Sequence, residues 1–281
     1  MIKQFESKVI KIFDIIQTIQ YNIYIRNLEL MLDCCIFALK FSIKMANIIL
    51  IETSTKACSV SLCKDFNIEF HEEELEGPNH AASLGMFVER VMEHARQNNM
   101  MPDAVAVSAG PGSYTGLRIG ISEAKGLAFG LNVPLIAVDT LKTMCCRIMF
   151  ANNIEDDALY CPMIDARRME VYTVLYDRAL KEIKPVSSEI IGEDFLKEEL
   201  DKHPIYFFGD GSEKCEEIIK HPNAHFIKGI RAMASDMMAL AIQAYNRQDF
   251  VDVAYFTPFY LKDFVAKMPK NPLEELDSKM K

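Results

Sequence analysis

The string Ala109-Gly110-Pro111-Gly112-Ser113-Tyr114-Thr115-Gly116-Leu117-Arg118-Ile119-Gly120 constrains this chain more than any other stretch. The apolar run Ala104 to Ala109 leads into it and reads as a short buried strand. Beyond it, Ile119 to Phe129 is small and apolar, which suits a packed helix. Gly110 and Gly112 allow backbone angles closed to other residues, and Pro111 fixes the chain between them. Ser113 and Thr115 supply hydroxyls where that helix needs an N-cap. Gly116 and Gly120, one turn apart, predict a flat strip that another backbone approaches closely. A strand, a glycine-rich turn and a helix N-terminus suit an anion as well as they suit a tight connection. No Gly-Lys-Ser/Thr follows and the G-x-G-x-x-G spacing is absent, so neither a Walker loop nor a dinucleotide fingerprint is specified.

A length of 281 residues leaves room for two domains, and 50% hydrophobic with 25% charged residues is globular composition. The net charge of -9 argues against a chain that holds RNA alone, because phosphate binding needs a basic balance. The eight cysteines include the adjacent pairs Cys34-Cys35 and Cys145-Cys146 and form no Cys-x-x-Cys. Together with Cys58, Cys63, Cys161 and Cys215 they read as reduced core residues, which suits the cytoplasm.

Residues 1–44 stand apart. Val9, Ile12, Phe13, Ile16, Ile19 and Ile23 fall near helical spacing, and Glu29, Asp33 and Lys40 break the next apolar run short of a membrane span. The stretch has no secretory-signal pattern. An amphipathic surface helix, a lineage-specific extension and translated upstream sequence before a start at Met45 compete for it, and we favour the last, since Met45-Ala46-Asn47-Ile48 opens directly into a strand. Asn47 to Ile51, Cys58 to Cys63 and Ile68 to Glu72 predict a meander, with Lys64 to Asn67 as a turn. Leu84, Phe87, Val88, Val91 and Met92 predict an amphipathic helix after Pro78-Asn79-His80. Val133 to Val138 predicts a further strand after the glycine motif.

The same order restarts at Tyr160. Pro162 to Asp165 is a strand ending in an acid, Ala166 to Arg168 a turn, and Val171 to Tyr176 a returning strand. This echoes Ile49 to Glu52 and its hairpin, and two such units suggest a duplication. Ile205 to Phe208 predicts another strand, Ala232 to Tyr245 a helix, and Pro269 to Pro272 a loose tail.

Gly110 to Gly120, continued by Glu123-Ala124-Lys125-Gly126-Leu127-Ala128, resembles the signature of the TsaB (YeaZ) family, the dimerisation subunit of the bacterial tRNA threonylcarbamoyladenosine machinery. The resemblance extends to Ile48-Ile49-Leu50-Ile51-Glu52-Thr53-Ser54-Thr55, to Asp165-Ala166-Arg167-Arg168-Met169-Glu170-Val171-Tyr172 and to Tyr260-Leu261-Lys262. It implies an α/β, duplicated ASKHA fold, the ribonuclease H-like architecture of actin, heat-shock chaperones and sugar kinases. The expected division is an extension at 1–44 and subdomains at 45–150 and 151–281. It further implies a non-catalytic subunit that pairs with the transferase subunit TsaD, is joined by the ATPase TsaE, and meets tRNA through the complex, in the cytoplasm and away from membranes. No cofactor of its own is expected. ATP or ADP at the complex interface stays open, as does a homodimer through the same helices.

The resemblance also locates sites. In the superfold an acid after the first strand, with nearby hydroxyls, handles nucleotide phosphate. Glu52, Thr53, Ser54 and Thr55, with Gly110, Gly112 and Ser113, therefore read as a vestigial phosphate loop; Glu52 stands where the family usually carries aspartate. The transferase relative holds a metal with H-x-x-x-H on its first helix, whereas here Leu84 follows His80 by four positions, so no metal pair is expected. His221 and His225 repeat that spacing, but Pro222-Asn223 between them predicts a surface loop. Asp165 and Glu170 beside Arg167 and Arg168 read as an ion-paired hairpin, and Cys145-Cys146 as an inert helix position. The expected partner interface is His80, Leu84, Phe87 and Val91 with Gly116, Leu117, Arg118, Gly120, Ile121, Ala124, Leu127 and Ala128. The competing class is an enzyme, a metal-dependent glycoprotease-like peptidase or an ATPase of the same superfold. Deleting residues 1–44 should leave thermal stability and partner binding unchanged, checked by melting curves of the truncated and full chains.

Overall fold

The computed structural model describes residues 46–76, 80–151 and 154–262. The chain divides into two units at Met45/Ala46, and every described residue belongs to the second. The expectations for residues 1–44, for Pro78-Asn79 and for Pro269 to Pro272 lie outside the described residues.

Strands β1 (Asn47–Glu52), β2 (Cys58–Lys64) and β3 (Asn67–Glu74) form the predicted antiparallel meander. Asp65 and Phe66 turn the chain between β2 and β3 with positive φ. Helix α1 (His80–Gln97) crosses to β4 (Ala104–Gly110), which pairs parallel to β1. Helix α2 (Tyr114–Leu131) returns the chain to β5 (Leu135–Asp139), giving a sheet in the order β3-β2-β1-β4-β5. The period-two geometry of β1 decides what each face covers. Ile49 and Ile51 point toward Leu84, Phe87 and Val91 of α1 and Ile121 and Ala124 of α2. Ile48 and Leu50 point the other way, with Ala104, Ala106 and Ile136. A strand buried on both faces reads as a continuous apolar run, which is why Ile48-Ile49-Leu50-Ile51 carries no alternation.

Helix α3 (Thr140–Ala151) follows and packs on β4 and β5 of the first sheet and on β6 (Leu159–Asp165) of the second. Strand β6 pairs antiparallel with β7 (Glu170–Tyr176) and parallel with β9 (Ile205–Phe208), as β1 does with β2 and β4. Strands β8 (Glu182–Ile190) and β10 (Ala224–Ile227) complete the order β10-β9-β6-β7-β8. Read from the opposite edge, that order matches the first sheet strand for strand, so the fold is a duplicated α/β architecture. The short helix α4 (Lys197–Leu200) lies before β9. Residues 232–245, expected as one helix, instead open with the 3-10 turn Ala234–Met237 before α5 (Met238–Arg247), which covers the second face of the first sheet.

Helix α2 owes its position to its glycines. Gly116 lies against the Thr53 carbonyl and Gly120 against the Thr53 hydroxyl, and a Cβ at either position would overlap those atoms. Thr53 Oγ1 also donates to the Gly116 carbonyl at 2.8 Å. The backbone that approaches the predicted strip is therefore the chain's own first loop. Gly126 is the opposite case: no described atom lies within 4 Å of where its Cβ would stand. Gly116→Ala should destabilise the protein by about 2 kcal/mol, because the atom in the way is backbone and cannot rotate aside. Gly126→Ala should stabilise it by up to about 1 kcal/mol through helix propensity. Urea unfolding of the two variants reads both signs.

Candidate functional site

The first loop and the glycine turn meet, as their positions in the sequence predict. Ser113 caps α2, its hydroxyl accepting from the Gly116 N–H at 3.2 Å. Its own N–H donates to the Ser54 carbonyl at 2.6 Å. Gly112 comes so close to Ser54 that a Cβ would stand 2.5 Å from that carbonyl oxygen. Glu52, Thr53 and Ser54 are fully buried, and Thr55 nearly so. The Ser54 N–H donates to Glu52 Oε1 at 2.6 Å, and His80 Nε2 sits 2.8 Å from the Thr55 carbonyl. These contacts show how the residues expected as a vestigial phosphate loop are arranged. Glu52, Thr53, Ser54, Gly110, Gly112 and Ser113 are assembled, but they pack on one another and the carboxylate faces the interior. Burial pushes the Glu52 carboxyl above its ordinary value, against the smaller opposing effect of the hydrogen bond from the Ser54 N–H.

The residues expected at the partner interface lie mostly inside the chain. Leu84, Phe87, Val91, Gly116, Leu117, Gly120, Ile121, Ala124 and Ala128 are buried inside the chain, and Leu127 packs partly against the same core. These residues hold α1 and α2 to their own sheet. Of the expected set, His80 is half-buried on Thr55 and Arg118 is exposed. The two helices turn outward Ala81, Ala82, Gly85, Met86 and Glu89 on α1, followed by the charged Arg90, Glu93 and Arg96, and Ser122, Gly126, Phe129 and Gly130 on α2 beyond Thr115 and Arg118. Met86 is half exposed, and Phe129 is 84% exposed. Gly85, Gly126 and Gly130 have no described atom within 4 Å of where a Cβ would stand.

A family model described as TsaD, tRNA N6-adenosine threonylcarbamoyltransferase, matches residues 74–271. The chain is 30% identical over 230 residues to tRNA threonylcarbamoyladenosine biosynthesis protein TsaB of Escherichia coli (strain K12), covering 79% of this chain and 98% of that one. The chain belongs to the TsaB (YeaZ) family. The protein of the same name from Bacillus subtilis (strain 168) is 29% identical over 178 residues, covering 62% of this chain and 75% of that one. The solved structure of YeaZ from Pseudomonas aeruginosa superposes with a TM-score of 0.65 at 28% identity, covering 77% of this chain and all (100%) of that one. The two matching sheets are thus the halves of the duplicated ASKHA fold.

Kinship with a transferase raises the question of metal ligands. Among the described residues no group of three or more His, Cys, Asp or Glu side chains converges as a metal site. His221 Nε2 lies 3.2 Å from Asp201, and His225 stacks on Tyr206 with centroids 5.0 Å apart. His225 stands in β10, so the predicted loop is half strand. Asp165 pairs with Lys214, which also donates to the Glu170 carbonyl at 2.7 Å, while Arg167 uses its N–H on Asp165 at 2.9 Å. Lys214 therefore does for the hairpin what Arg167 and Arg168 were expected to do. The six described cysteines are buried and free of disulfides; burial lifts the Cys146 thiol to about 11 and drives Cys145 well above its ordinary value.

Sequence reasoning missed the outward glycines, although Gly126 lies within the family signature. Its signal was a glycine in mid-helix with no turn to make. For Glu52, a carboxyl raised in the folded state means that the native protein holds its proton more tightly than the unfolded chain. Stability is therefore lost as pH rises past the ordinary glutamate value of 4.5 toward the folded one. Glu52→Gln should melt higher than the unsubstituted chain at about pH 8 and converge with it near pH 4. Paired melting curves across that range check the trend.

Proposed function

We propose that this chain is a non-catalytic subunit of the machinery that makes threonylcarbamoyladenosine in tRNA, acting by docking the outward faces of α1 and α2 on a TsaD-type transferase subunit. The observation that carries it is the outward face itself in a chain of this family. Three glycines stand in helices where no described contact requires them, each costing about 1 kcal/mol in helix propensity relative to alanine. Beside them, Met86 and Phe129 expose large apolar surface. Open glycines next to exposed apolar side chains are what close helix packing between subunits uses. A transferase partner of the same fold has an equivalent helix pair, so like face meets like face about a pseudo-two-fold axis.

A TsaE-type ATPase, an adenine nucleotide at the complex interface, a homodimer through the same faces and tRNA held by the complex in the cytoplasm belong to this reading. The enzymatic alternative has less support. Leu84 occupies the position of a second helical histidine and lies in the core, and Glu52 is fully buried beneath the glycine turn. The purified chain should hydrolyse neither peptide nor ATP at a useful rate, measured by standard turnover assays.

Gly126→Leu tests the face. The helix tolerates leucine there, so circular dichroism and melting should stay native while size-exclusion with a TsaD-type subunit shows the complex lost. A complex that survives Gly126→Leu and Phe129→Ala together would remove α2 from the interface.

A further inference from the structure

Residues 249–262 form the part of the described chain that this reading leaves unused. They run from the end of α5 across the first sheet to the second. The Val251 N–H donates to the Leu135 carbonyl at 2.9 Å, closing the edge of β5. Lys125 Nζ of α2 donates to the Ala254 carbonyl at 3.0 Å. The Phe259 N–H donates to the Ala109 carbonyl at 2.8 Å, and the Phe259 carbonyl oxygen lies 2.6 Å from where a Gly110 Cβ would stand. Gly110, at φ +108°, is thus glycine for two reasons, its backbone angle and this crossing.

The end of the segment meets the start of α2. The Tyr260 ring lies on the Tyr114 ring at 4.7 Å, and Arg118 Nε donates to Tyr260 Oη at 3.0 Å. The Arg118 guanidinium stands over Tyr114 at 4.2 Å. Two residues later Lys262 pairs with Glu170, the first residue of β7, whose carboxylate also accepts from Ser188 at 2.8 Å. Lys214 then joins the Glu170 carbonyl to Asp165 at the end of β6.

We infer that residues 249–262 are a strap that sets the first turn of α2 from the hairpin of the second sheet, making Tyr260 and Lys262 positioning residues for the partner-facing helix. The inference rests on the reading of α1 and α2 as the docking face. The first turn of α2 is held from below by the Thr53 backbone and from outside by Tyr260. A helix is stiff, so a tilt at Tyr114 displaces Gly126 and Phe129 three turns on. Beyond Phe259 the ties are an exposed ion pair, a ring pair, a side-chain hydrogen bond and a cation over a ring, each of them weak at a solvated surface. Ties of that kind let the strap loosen without unfolding the core, as a coupling element requires.

The test uses the full chain with Lys262→Glu, Tyr260→Ala, Tyr260→Phe and the double swap Glu170→Lys/Lys262→Glu. Each is measured by hydrogen exchange at the amides of residues 114–120 and by affinity for a purified TsaD-type subunit. Lys262→Glu and Tyr260→Ala should speed exchange there and weaken binding by roughly three- to tenfold. The swap should restore both, and Tyr260→Phe should fall between Tyr260→Ala and the unsubstituted chain. Unchanged exchange and affinity in Lys262→Glu and Tyr260→Ala overturn the strap, as does a swap that rescues neither. If Gly126→Leu abolishes binding while the strap variants bind normally, the strap fails and the docking face stands. If the unsubstituted chain does not bind the subunit, the docking face fails and the exchange data decide the coupling alone.

Discussion

The seat of α2 on the first sheet depends on one backbone crossing, the Thr53 carbonyl lying against Gly116. Removing two side chains from α2 lets the helix rest on the loop that leaves β1, and Thr53 secures it with a hydrogen bond to the helix backbone. From there the helix direction follows, and with it the burial of Ile121, Ala124 and Ala128 against β1 and β4. The same crossing brings the first loop against the glycine turn, where the Ser113 N–H donates to the Ser54 carbonyl.

Much of the architecture was legible because its signals are local. The run Ile48 to Ile51, the turn at Asp65-Phe66 and the hydroxyl at Ser113 each fix their own neighbourhood, and the duplicated strand-acid-hairpin order predicted the second sheet. Strands β8 and β10 were not legible. They lie at sheet edges, only part-buried, so neither continuous apolarity nor clean alternation marks them. The 3-10 opening of the last helix was hidden for a different reason: the Ala234 N–H is drawn to the Ser59 hydroxyl, 175 residues away in sequence.

The site shows where pattern reading stops. Gly116 and Gly120 announce a close approach, yet nothing in a sequence says which backbone comes near. The intramolecular answer moves the accessible face around the helix to Ser122, Gly126, Phe129 and Gly130. Glu52 was likewise visible as an acid at a strand end, while its burial and raised carboxyl depend on elements that close over it from elsewhere in the chain.

The closing bond of the strap spans 142 residues, from Arg118 to Tyr260. During synthesis, the first sheet and α2 leave the ribosome long before the residues that finish their packing. A nascent or prematurely ended chain thus carries α2 with its first turn held from below by Thr53 and not yet from outside by Tyr260.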